Sequence, residues 1–387
     1  MSERLARLTT GLAELEQRSL RRRRRVLDSA QGAHVREGAH ALVNFSSNDY
    51  LGLANHPRLR EAAHRAIDEF GVGSGASPLV SGHMRVHALA ERRFAEFTGL
   101  PRALLFGSGY AANLGILGAF GGRDAAIFSD ELNHACLIDG ARLSRGAVHR
   151  YAHGDLGALA AALAESDAAV RIVATDAVFS MDGDIAPVPG LLELCDRHDA
   201  WLLLDDAHGV GVVGATGRGT LEHFALHSPR IIYMATLGKA LGGYGAFVAG
   251  EPNVVEWLVQ RARTYIYSTG LPPAAAATAI AALDLIEGEP SLVATLRGHI
   301  GRFAAALERA KVAGTSSPTA IQPIVVGCAD RALKASELLQ QRGFLVPAIR
   351  PPTVPDGTSR LRISLSAAHS AVEIEGLVSS LAQCLDA

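Results

Sequence analysis

Two rhythms of apolar and polar positions run along this chain. Near the start, Leu5, Leu8, Leu12 and Leu15 recur at steps of three and four, which predicts a helix with one apolar face that would serve as a docking arm. A strand pattern then begins at Leu42, passes into the polar turn SSNDY and leads to a helix carrying Leu59, Ala63, Ile67 and Phe70 on one face. The stretch from Gly71 to His83 is so rich in Gly and Ser that it reads as a loop. Leu79 and Val80 within it, and the stripe Val86, Leu89, Phe94, Phe97 after it, favour an ordered loop lining a site over a flexible linker.

From about residue 100 short apolar strands alternate with helical segments, and the strand ends carry the polar residues. ALLF, AAIFSD, RIVATD, AWLLLDD, RIIYMAT and AFVAG are the strands of this series. Strands apolar throughout and separated by helices predict a parallel sheet covered on both faces, whose ligands sit beyond the strands' carboxyl ends. The rhythm shortens after a helix at Ala274 to Gly288, and IQPIVVG, GFLVPAI, RLRIS and a last helix with Val372, Leu377, Val378 and Leu381 predict a smaller α+β part. The expected division is an N-terminal arm over 1–45, a large domain over 46–288 and a small C-terminal domain over 289–387.

Composition changes this picture little. A chain of 387 residues, 48% hydrophobic and 20% charged, can bury one large core and a smaller one. Its net charge of -2 gives no reason to expect nucleic acid or an anionic membrane as partner. The arginine run 21–25 is local, lacks interleaved aromatics, and reads as a solvated face or a subunit contact. The 4 cysteines lie far apart with no C-x-x-C pair, so neither a zinc site nor a disulfide framework is expected. No apolar run approaches the length of a membrane span, and acidic residues near the start argue against a secretory signal, so a cytoplasmic location is expected.

The chemistry centres on TLGKALGGYG. Lys239 stands among glycines just after the strand RIIYMAT, where an amine held by small residues could form a Schiff base with the aldehyde of pyridoxal 5'-phosphate, PLP. The plain alternative is a surface loop containing one lysine. Asp205 ends LLLD, where a desolvated carboxylate could pair with a protonated pyridine nitrogen, and His208 follows within reach of a ring hydroxyl. His134, after another strand end, could lie over a flat ring, while Ser180 and Thr236 add hydroxyls at the same edge. GSGYAAN, with Gly109 and Tyr110, offers a glycine turn and a helix N-terminus to a phosphate, although an ordinary tight turn has the same pattern. Arg360 and Arg362 alternate along SRLRIS, so both guanidinium groups project to one side as a fork for a carboxylate, or as the charge of an edge strand.

Taken together, NFSSNDYLGL, GSGASPLVSGH, FGSGYAAN, SDELNHACL, VFSMDGD, LLLDDAHGVGV, ATLGKALGG, YIYSTGLPPA and RPPTVPDGTSRLRIS resemble the α-oxoamine synthases, a branch of the fold-type I PLP enzymes. The match runs in order over almost the full length. It implies a large, mostly parallel sheet domain, an N-terminal arm and a small α+β domain. It implies that Lys239 carries the cofactor, that Asp205 pairs with the ring nitrogen, that His208 contacts the ring hydroxyl and that His134 stacks on the ring. Gly109, Tyr110, Ser180 and Thr236 lie around the cofactor by the same resemblance, and Ser268 and Thr269 reach the phosphate of a neighbouring subunit, making a homodimer with shared sites. Arg362 would hold a substrate carboxylate with Asn48 beside it, and Thr353 matches a further substrate position. A substrate arginine falls on Arg21 or Arg24, depending on register. Within the family the motifs look like the branch that joins L-alanine to a pimeloyl thioester of CoA or acyl carrier protein, with glycine C-acetyltransferase, or more remotely an aminotransferase, as alternatives.

Overall fold

The apolar runs between Arg102 and Gly250 form one seven-stranded sheet, in a computed structural model that describes residues 3–314 and 317–385. The spatial order is Arg102–Phe106, Ala246–Gly250, Ile231–Thr236, Trp201–Asp205, Val170–Asp176, Ala125–Asp130, Ala147–Tyr151. The last five of these are parallel neighbours, with registers such as Asp176 opposite Asp205 and Asp205 opposite Met234. Their carboxyl ends therefore share one edge.

The sheet is mostly parallel, as expected, and one strand runs against the rest. Ala246–Gly250 runs antiparallel to both Arg102–Phe106 and Ile231–Thr236. The connection from Leu237 to Gly245 is shorter than the dozen or so residues that a parallel crossover needs, so the chain turns straight back. Lys239 lies inside that turn.

Both faces of the inner strands are buried, which is why they read as unbroken apolar runs, whereas the edge strand Ala147–Tyr151, which the apolar pattern did not reveal, is exposed at its first four residues. Ile127, Ile172, Leu203, Ile232 and Met234 pack with Ala112, Ile116, Leu117 and Leu137 of the helices Gly109–Phe120 and Ala135–Leu143. The alternate residues Phe128, Val173, Leu202, Leu204 and Tyr233 are equally buried. Each such side chain contributes about 1.5–3 kcal/mol by leaving water. Four apolar expectations in this region fail at the surface: Ile67, Leu79, Val80 and Leu89 are exposed, and the buried face of the helix Pro57–Phe70 is Leu59, Ala62 and Ala66. The Gly/Ser loop is held by its small residues instead, with Ser74 Oγ donating to the Leu271 carbonyl at 2.5 Å.

Two compact units divide the chain: Asn48–Ser180 with Asp184–Leu296, and Met1–Ser47 with Met181–Gly183 and Arg297–Ala387. In the second unit, Ile321–Gly327, Ser359–Ser364 and Ala348–Ile349 form one antiparallel sheet. His40–Asn44 pairs with His34–Glu37 and, in parallel, with Phe344–Leu345. The ring of Phe45 stacks on His369 at 4.0 Å, so residues just before the site loop pack with the C-terminal segment. In the final helix, Ala371–Leu385, the buried face begins at Ile374 and Val372 is exposed. The helix Glu3–Gln17 buries nothing, and its four leucines all face solvent.

Candidate active site

Within the larger unit, the strand ends at Asp130, Asp176, Asp205 and Thr236 gather the polar groups. The strand Trp201–Asp205 is buried to its tip, so the Asp205 carboxylate is only 3% exposed. It accepts hydrogen bonds from Asn113 Nδ2 at 2.7 Å and from the Ala207 N–H at 3.0 Å. Both donors are neutral, which leaves a buried negative charge suited to a ligand cation. Asn113 Oδ1 is itself buried without a partner.

Lys239 reaches the same edge through a loop that the structure closes tightly. Its carbonyl accepts the Gly242 N–H at 2.9 Å, the Leu237 N–H donates to the Gly245 carbonyl at 2.9 Å, and Thr236 Oγ1 donates to that carbonyl at 2.9 Å. Gly242 has φ +66, and a Cβ there would lie 2.5 Å from the Leu53 carbonyl carbon, so only glycine fits. The Lys239 Nζ stands 2.7 Å from Nε2 of His208, whose Nδ1 is 2.7 Å from the Tyr50 hydroxyl. Tyr50 in turn donates to Asn48 Oδ1 at 3.1 Å.

His134 is placed by its neighbour. Asn133 donates to Ser129 Oγ and the Ala174 carbonyl and accepts the Asp176 N–H, stitching two strand ends together. The His134 N–H donates to Asp176 Oδ2 at 2.6 Å, and His134 Nδ1 accepts from the Cys136 N–H at 3.2 Å. Loss of solvation, against the opposing pull of Asp205 and helped by the smaller effect of the Lys239 charge, holds the His134 imidazole below its usual range, so it is neutral at neutral pH. Burial, then the charge of Asp205, pushes the Asp176 carboxyl well above its usual range. Asp176 stands opposite Asp205 on the adjacent strand, and that neighbouring charge favours its protonated form.

The helix Gly109–Phe120 begins at the same edge. Ser108 Oγ caps the Ala111 N–H at 3.1 Å and the Ser108 carbonyl takes the Ala112 N–H at 3.0 Å. The N–H groups of Gly109 and Tyr110 lie outside these bonds at the positive end of the helix, an anion site. A Cβ on Gly109 would sit 3.8 Å from the Thr236 Cβ, which places this cradle against the end of the strand that leads into the lysine turn. The Tyr110 hydroxyl donates to Asp139, so it is held aside from the cradle. Ser180 is half-buried at the end of its loop, while Ser268 and Thr269 are exposed.

The remaining expected residues lie in the other unit. Arg362 is buried and donates to Ser364 Oγ at 2.9 Å. Arg360 is held by Asp182, so the two-armed fork is not available: the chain supplies its own carboxylate to one arm. In the arginine run, Arg21 and Arg23 both pair with Glu16 and Arg25 pairs with Glu37. Arg22, which neither register selects, donates to Thr353 Oγ1 at 3.2 Å, and Arg24 is exposed. Sequence reasoning missed Tyr50, Asn113, Asn133 and Asp176. Only Asp176 carried a signal, as the polar end of an apolar strand.

These groups fit a cofactor with an aldehyde, a protonated ring nitrogen and a phosphate: an amine, a buried carboxylate with neutral partners, and a helix N-terminus. The comparisons agree. The sequence-family model for aminotransferase class I and II matches residues 40–381. An 8-amino-7-oxononanoate synthase of Methylococcus capsulatus is 53% identical over 97% of both chains. Another, of Paracidovorax citrulli, is 54% identical over 97% of this chain and 93% of its own. Among solved structures, Sphingomonas wittichii serine palmitoyltransferase superposes with a TM-score of 0.89 at 27% identity, over 99% of this chain and 95% of that one. The 8-amino-7-oxononanoate synthase of Francisella tularensis has a TM-score of 0.77 at 29% identity, over 88% and 97%. By fold, by the order of its strand-end groups and by identity over nearly its full length, the chain belongs to the 8-amino-7-oxononanoate synthase family.

Proposed function

We propose that this chain is a PLP-dependent acyltransferase that joins L-alanine to a pimeloyl thioester, of CoA or acyl carrier protein, releasing 8-amino-7-oxononanoate, CO2 and the free thiol in biotin biosynthesis. The observation that carries this reading is the Lys239 amine held 2.7 Å from His208, on the sheet edge that also bears the buried Asp205. Identity of 53% with a named relative over 97% of the chain supports the substrate pair.

PLP, when bound, supplies an electron sink for negative charge at the substrate Cα. The chain's own groups have distinct tasks in this reading. Asp205 keeps a proton on the ring nitrogen through its charge. The Gly109 and Tyr110 N–H groups, with Thr236 and Ser180 at the same edge, hold the phosphate end. His134, neutral, covers the ring face, and His208 holds the ring hydroxyl. The Lys239 amine, once free of the cofactor, removes the Cα proton of alanine and later returns one. Arg362 and Asn48 hold the alanine carboxylate, and Thr353 with Arg21 or Arg24 contacts the acyl substrate. Ser268 and Thr269, exposed in the single chain, serve the partner subunit of a homodimer. We assign the enzyme to the cytoplasm, a reading supported by the four unpaired cysteines. The helix Glu3–Gln17 of the N-terminal arm, whose four leucines face solvent, acts as a docking arm.

The test is a matrix of alanine, glycine and serine against several acyl thioesters, read as thiol release. Alanine with the pimeloyl thioester is the expected best pair, and preference for glycine or serine would overturn the assignment. In the same assay Lys239→Ala is expected to lose both turnover and the visible absorption of bound PLP.

A further inference from the structure

Asn48, Tyr50, His208 and Lys239 form an unbroken chain of polar contacts, and its second link was not foreseen from sequence. The distances are 3.1 Å from Tyr50 Oη to Asn48 Oδ1, 2.7 Å from Tyr50 Oη to His208 Nδ1, and 2.7 Å from His208 Nε2 to Lys239 Nζ. Tyr50 is 0% exposed and His208 5%, so water does not compete for these bonds.

We propose that Tyr50 is a positioning residue that decides which ring nitrogen of His208 carries the proton, and so couples Asn48 to the protonation of Lys239. A phenol has one hydrogen to donate and here faces two acceptors. When the hydrogen goes to Asn48 Oδ1, the phenol oxygen accepts from Nδ1–H of His208. Nε2 then presents a lone pair, which suits the ammonium form of Lys239. When the hydrogen goes to Nδ1, the proton sits on Nε2, and the bond to Lys239 requires the uncharged amine as acceptor. The uncharged amine is the form that can act as nucleophile or base. A stronger donor engaging Asn48 Oδ1 displaces the phenol hydrogen toward His208 and favours that form. This deepens the proposed function, since Asn48 is the residue assigned to the substrate end, but it does not depend on which amino acid is the substrate.

The tautomer of His208 is read by nitrogen-15 NMR of the imidazoles in the full chain prepared without PLP, with the His208 signals identified by their loss in His208→Gln. The parent is expected to hold one dominant tautomer. Asn48→Ala removes one of the two acceptors and should raise the Nε2–H form about fivefold, the factor that one net hydrogen bond supplies. Tyr50→Phe removes the director altogether and should shift the ratio by a similar factor, with the far-ultraviolet circular dichroism unchanged. With PLP loaded, both variants should also move the pH midpoint of the visible absorption band, which a purely packing role for Tyr50 would leave in place. A tautomer ratio within twofold of the parent in Asn48→Ala overturns the proposal, and this variant decides alone if Tyr50→Phe fails to fold. Because the NMR arm contains neither cofactor nor substrate, its failure is separate from failure of the thiol-release matrix.

Discussion

The charge on Asp205 is the feature whose removal separates this account from simple packing. Its carboxylate is 3% exposed and bonded by two neutral N–H donors, at 2.7 and 3.0 Å. Replacing it as Asp205→Asn keeps size and shape and removes only the charge. Taking one partner from a buried ion pair costs about 3–5 kcal/mol. At 1.4 kcal/mol per decade the affinity for PLP should fall by roughly a hundredfold to a few thousandfold. The fold without PLP should be little affected. The new amide keeps an oxygen for the Ala207 N–H, and Asn113 can turn its partnerless Oδ1 toward the new Nδ2. Asp176→Asn is the matched control on the adjacent strand. Burial and Asp205 both push the Asp176 carboxyl toward its protonated form, which the amide mimics, so the exchange should change PLP affinity by less than about threefold. PLP titration of the cofactor-free protein, followed by absorption, gives both affinities, and thermal unfolding checks the fold. Asp205→Asn binding PLP within tenfold of the parent, or Asp176→Asn losing as much as Asp205→Asn, would refute the reasoning.

Gly242→Ala should strain the lysine loop, because its φ is +66 and a Cβ would meet the Leu53 carbonyl carbon at 2.5 Å. A loss of about 1–3 kcal/mol in chemical denaturation is expected, together with weaker PLP binding. Asp206 is fully buried and receives the Tyr233 hydroxyl at 2.5 Å and the Thr220 N–H at 2.7 Å. Desolvation lifts its carboxyl to about 7 against the bonds that pull it down. A raised acid is protonated in the folded chain while the unfolded chain has already lost the proton. Its contribution is therefore full below about pH 4 and is lost as pH rises through about 7. Unfolding midpoints measured across that window should fall less steeply with pH in Asp206→Asn than in the parent.

The sequence by itself determined the strands and what stands at their ends. LLLDD must be a buried strand, because a continuous apolar run is stable only when covered on both faces, and its aspartates must then come at the tip. The same logic placed Asp130, Thr236 and the GSGY turn. Lys239 by itself reads equally as a surface-loop lysine, and it was legible only because Asp205, His208, His134 and the GSGY turn fall at strand ends of the same series. Periodicity was less reliable at edges: Ile67, Leu79, Val80 and Val372 fit an apolar pattern yet face solvent. A local pattern carries no information on what covers it. Only the tertiary structure decided that Ala246–Gly250 turns back antiparallel, which puts Lys239 in a tight turn instead of a crossover. It alone paired Arg360 with Asp182, brought Arg22 to Thr353, and aligned Tyr50 with His208 across 158 residues of sequence. The reason is physical. Strand and helix signals arise from neighbours along the chain, but the partner of a buried polar group is fixed by desolvation, which is felt only when distant segments close over it.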